Sequence, residues 1–92
     1  MTRKDVLEKA RSCVCGEREE DYGRPEDNFK QIADLWSAYT GHSYSALDVS
    51  MMMALLKIAR IRGGGSEDSF VDLAGYAACG GEVFTEKEHV SK

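Results

Sequence analysis

The stretch "SALDVSMMMALLKIARIRGGGS", residues 45–66, decides the fold. Ser45 is a good helix N-cap, and Asp48 stands three residues on, as in a capping box. From 46 to 62 no proline or glycine interrupts, and apolar residues fall on nearly every side. A helix that is apolar all round is buried on more than one side, in a core or at a subunit interface. Met51, Met52 and Met53 give it a pliable surface. Gly63-Gly64-Gly65 stops it and leaves a flexible link.

The neighbouring segments follow the same period. Upstream, Asp21-Tyr22-Gly23 is a turn signal and Pro25 suits the first position of a new helix. Glu26 and Asp27 sit in that first turn, where negative charge favours the helix dipole. Phe29, Ile32, Ala33, Trp36 and Tyr39 then form an amphipathic face up to about Thr40, and Gly41 ends it. Nearer the N-terminus, Thr2 and Asp5 resemble a capping box for a helix over about 3–20. Its stripe is Val6, Leu7, Ala10, Cys13 and Val14, and Gly16 is a place where it can break. Downstream of the glycines, Ser66 caps a fourth helix over 67–84, with a polar tail at 85–92 that frays. No strand pattern or repeat is present. The expectation is a single all-α domain of four helices, bundle-like, assembled into a helical homo-oligomer.

The 92 residues suit one domain, and a domain this small is often marginal alone. Hydrophobic residues at 42% and charged residues at 30% are ordinary for a globular chain. The net charge of −4 leaves no basic surplus for DNA. It leaves room for a small anion held by a few placed cations. No run approaches the ~18 apolar residues of a membrane span. The start carries no apolar signal core, so the cytoplasm is the expected compartment. Cys13, Cys15 and Cys79 match no disulfide framework and no zinc spacing. They read as reduced thiols.

The chemistry concentrates on the third and fourth helices. Lys57 and Arg60 are i, i+3 on an otherwise apolar helix. A desolvated charge needs a partner, which can be a phosphate or an acid of the fourth helix. Asp68 and Asp72 are i, i+4 and can share one cation, either Mg2+ or a basic side chain. At ~100° per residue, Phe70, Ala74 and Ala77 point one way. Asp68, Asp72, Gly75, Tyr76 and Cys79 point the other, with Gly75 as a clearing where a neighbour or ligand approaches. The plainer alternatives stay open: Asp68 serves the helix dipole, Asp72 makes an ordinary ion pair with Lys57 or Arg60, and the two cations reach solvent. Tyr22 and Asn28 flank the turn before the second helix. With Tyr76 they are the recognition candidates for a base, by stacking and by amide hydrogen bonds.

"DYGRPEDNFKQIADLWSAYTG", "DVSMMMALLKIARI" and "DSFVDLAGYAA" together resemble a family of small phage and prophage proteins, over about residues 19–82. The same order of elements is distantly similar to the all-α nucleotide pyrophosphohydrolases of the MazG-like group. That resemblance implies a helical oligomer, a nucleotide ligand and Mg2+ held by helical carboxylates. The group pairs an E-x-x-E helix with an E-x-x-D helix. Here Asp68 and Asp72 stand only for the second, one residue further apart, and Glu17 with Glu20 lies beside a turn. A metal-activated water needs several fixed oxygen ligands. The expected ligand site is therefore Lys57, Arg60, Asp72, Tyr76, Asp68, Asn28 and Tyr22 around a nucleotide or nucleotide-derived signal. Asp68 and Asp72 are the metal ligands if Mg2+ is used, and no catalytic residue is assigned. Three functions remain: nucleotide binding that sequesters a host defence signal, Mg2+-dependent pyrophosphohydrolysis, and a helical protein-interaction module working through the methionine surface.

Overall fold

The computed structural model describes residues 1–17 and 24–91, with only the backbone for Glu17 and residues 86–91. Among the described residues there are four α-helices and no strand: α1 (Arg3–Ser12), α2 (Pro25–Thr40), α3 (Ala46–Arg62) and α4 (Glu67–Ser91). This is the all-α single domain that the apolar periodicity implies.

Local chemistry sets the helix starts. At α1 the Asp5 N–H donates to Thr2 Oγ1 at 3.1 Å, and the Thr2 N–H donates to Asp5 Oδ2 at 3.0 Å. The Thr2 N–H is the main reason that the Asp5 carboxyl sits below its ordinary pKa; the Thr2 side chain adds to it. Ser45 and Asp48 make the same reciprocal pair at α3, at 2.9 and 3.1 Å. α2 begins on Pro25, whose missing N–H costs nothing there.

α1 is shorter than the reading over 3–20. The chain leaves it at Ser12 through a widened π-type turn, Cys13–Glu17, and Gly16 departs from helical geometry at φ −119° and ψ −111°. Glycine is the residue least held to helical dihedrals. Residues 18–20 lie outside the described residues. α4 runs on to Ser91, past the expected end at 84. No proline or glycine follows Gly81, and Thr85 Oγ1 donates back to the Gly81 carbonyl at 2.8 Å.

Between α2 and α3 the chain doubles back. Gly41 adopts the left-handed conformation (φ 81°) that lets its N–H close on the Ser37 carbonyl at 2.9 Å. The Tyr44 N–H donates to Ser37 Oγ at 2.9 Å, and Tyr44 meets Trp36 edge-on. α3 and α4 form an antiparallel hairpin, since Ser50 meets Tyr76 and Lys57 meets Asp72. α2 and α4 thus lie in similar directions along the inner side of α3.

The core is Phe29, Ala33, Val49, Cys79 and Val83, with Val14, Ile32, Trp36, Tyr44, Met53 and Tyr76 packed around it. Three residues of the expected apolar stripes, Leu7, Cys13 and Tyr39, are exposed instead. Tyr39 is 92% exposed, because it falls in the last turn of α2. None of the three cysteines is in a disulfide: Cys13 and Cys15 are exposed and Cys79 is buried. Among the described residues no helix is long and apolar enough to cross a membrane.

Candidate functional site

α3 and α4 cross at unusually short range, and that crossing positions the site. Ser50 is fully buried, and its Oγ donates to the Tyr76 carbonyl at 2.6 Å. Opposite it stands Gly80, where a Cβ would fall 2.4 Å from Ser50 Oγ. Two small residues therefore let the backbones approach, and the hydroxyl ties them.

Two turns along α3 from Ser50, Lys57 lies on the same inner face. Its Nζ reaches Asp72 Oδ2 at 3.0 Å, with the lysine side chain 13% exposed and the aspartate 33% exposed. The lysine stem is thus covered, while the carboxylate opens to solvent on one side. An ammonium has three donor directions. No other hydrogen bond to Lys57 Nζ is present among the described residues. Arg60, one turn on, is exposed and has no ion pair among the described residues.

The remaining candidates are dispersed. Asp68 is exposed in the first turn of α4, where the dipole alone accounts for it. Tyr76 is half-buried, with its ring 6.1 Å from that of Phe29 and tilted by 31°, so it belongs to the core wall. Asn28 is half-buried on α2, its N–H bonded to the Arg24 carbonyl at 3.0 Å. Tyr22 lies outside the described residues, as does the acidic run beyond Glu17.

The face of α4 carrying Asp72, Gly75, Tyr76 and Cys79 is the packing face, while Phe70 and Ala77 on the other side are exposed. The Gly75 clearing is filled by Val14, whose Cγ1 lies 3.1 Å from where a Cβ would stand. Small residues ring α4 on all sides, so the neighbours choose the face.

Sequence reasoning missed Glu26. Its side chain is 17% exposed and both carboxylate oxygens are closed to solvent. The Arg24 guanidinium lies against Oε1, yet neither oxygen accepts a hydrogen bond of proper geometry. Glu26 is thus a covered carboxylate set against a guanidinium. Its signal was present: Glu26 precedes Phe29 by one turn, on the buried side of α2. Phe29 meets Tyr76 of α4, and Asp72 precedes Tyr76 by one turn. The two carboxylates therefore stand at a similar level of the bundle.

For Mg2+ the described residues do not suffice. No group of three or more acidic, histidine or cysteine side chains among them could hold a metal. Asp72 is already engaged by Lys57.

Residues 5–84 match a family model described as a domain of unknown function, DUF6378. The chain is similar to the Gene 55 protein of Mycobacterium phage D29, 46% identical over 82 residues. That match covers 88% of this chain and 54% of the relative. The Gene 55 protein of Mycobacterium phage L5 is 45% identical over 74 residues, 78% of this chain and 47% of the relative. The chain thus spans about half the length of these relatives. No solved structure matches it. With its helices, its α3–α4 crossing and 80 consecutive positions under one family model, the chain belongs to the DUF6378 family of phage proteins.

Proposed function

We propose that the protein binds a nucleotide or nucleotide-derived anion at the solvent edge of the α3–α4 hairpin. The observation that carries this reading is Lys57: a charged side chain mostly covered, paired with one carboxylate that is itself a third open. A phosphate entering from that open side meets Lys57 as a point charge and Arg60 as a fork. Asp72 then serves to hold Lys57 in place. Asn28, and Tyr22 beyond the described residues, are the base-recognition candidates. Tyr76 takes a supporting part, as the wall between the pair and the core. In a phage protein, binding without turnover sequesters a host signal.

Isothermal calorimetry against a nucleotide panel, including cyclic and ADP-ribose-derived species, tests this. The expected result is heat with at least one phosphorylated ligand, lost in Lys57→Met while helical circular dichroism is kept. No heat with any ligand would refute the reading.

A further inference from the structure

α3 has a second apolar face that no other described residue covers. At ~100° per residue, Ala46, Val49, Ser50, Met53 and Lys57 point inward, and each is buried or half-buried. Centred opposite them is Leu55, 63% exposed, flanked by Met52 and Ile58 at 40% and 42%; Met51 instead turns its methyl toward Gly80 of α4. Five of the eleven exposed large apolar side chains among the described residues lie on α3.

We infer that the occupant of this face is a second copy of the chain, packed through α3 against α3, antiparallel about a two-fold axis at Leu55. The charges select that occupant. Asp48 lies seven residues before Leu55 and Arg62 seven after it. All three share one stripe, since seven residues are close to two helical turns. Both charged residues are exposed. In an antiparallel pair centred on Leu55, Asp48 of each copy faces the partner's Arg62. Met52 faces the partner's Ile58. The face is its own complement, as a two-fold interface requires. A parallel pair would set Asp48 on Asp48 and Arg62 on Arg62, which repel. Methionine at the crossing adapts to the partner's ridges. Lys57 lies on the far side of α3, so the pairing stands independently of the nucleotide reading.

Sedimentation equilibrium of the full chain tests mass, and engineered thiols test orientation. The expected mass is twice 10.2 kDa at about 100 µM, a concentration that detects even a modest association. Leu55→Asp should give a monomer with unchanged helical circular dichroism, because the side chain it replaces is exposed in the single chain. Arg62→Gln should weaken the dimer about tenfold and remove its salt dependence. In a background with Cys13 and Cys15 replaced by serine, Leu55→Cys should form a disulfide-linked dimer on oxidation. Arg62→Cys should not, because the two copies of that position stand about 21 Å apart along the axis. A monomer at that concentration, a dimer indifferent to Leu55→Asp, or efficient crosslinking through position 62 would each overturn the inference.

Discussion

Two helices lie along α4, and they are fastened in different ways. α3 is held by a buried hydroxyl on a carbonyl, by an ion pair and by a glycine that admits a serine. α1 is held by Ala10, by Val14 resting on Gly75, and by the Met1 ammonium 3.9 Å from an exposed Glu67. Exposed ion pairs contribute little. The contrast locates the stability: α2, α3 and α4 enclose the shared core, while α1 leans on it. Local openings begin where few apolar contacts are buried. α1 should exchange its amide hydrogens first and the α3–α4 crossing last.

The largest expected effect breaks the stronger side of this contrast. Gly80→Val drives a branched side chain into Ser50, whose Oγ is pinned to the Tyr76 carbonyl. Overpacking of this kind costs about 3 kcal/mol, read as a lower urea midpoint. Gly80→Ala sharpens the point. Its cost should shrink when Ser50→Ala is added, because the nearest serine atom left is Cβ at 3.3 Å.

A middle-sized effect belongs to the ion pair. Lys57→Met keeps the covered stem and removes the charge, leaving Asp72 alone but a third open to water. The expected loss is about 1 kcal/mol, between exposed and buried pairs. Denaturant unfolding at low and high salt measures it.

The smallest global effect comes from α1. Val14→Ala removes the contact over Gly75 and should cost about 1 kcal/mol or less. The loss should show as faster hydrogen exchange confined to α1, with the urea midpoint nearly unchanged. A cooperative loss across all four helices would erase the distinction drawn between the two regions.

The all-α architecture was legible because its signals are local. Capping residues at Thr2 and Ser45, a proline that opens α2 and a glycine that closes it all act within one turn. The packing face of α4 was not legible. Ala74, Gly75, Ala77, Ala78, Gly80 and Gly81 leave no side without small residues, so periodicity alone selects no face. The choice is made by Val14 and Ser50, which approach from distant parts of the chain. The site was legible only as a set of charges. The Lys57–Asp72 pairing was one of several combinations that spacing allows. Glu26 reads in sequence as an acid for the helix dipole. Its place one turn before Phe29 was the one local hint that it is covered.

The three thiols divide along the same line as the helices. Cys13 and Cys15 stand open beside α1, and Cys79 is enclosed where α4 meets the core. An alkylating reagent therefore marks two sulfurs per native chain, and the third only after the interior parts. The protein carries its own clock for opening, and counting added mass against time reads it without any inserted label.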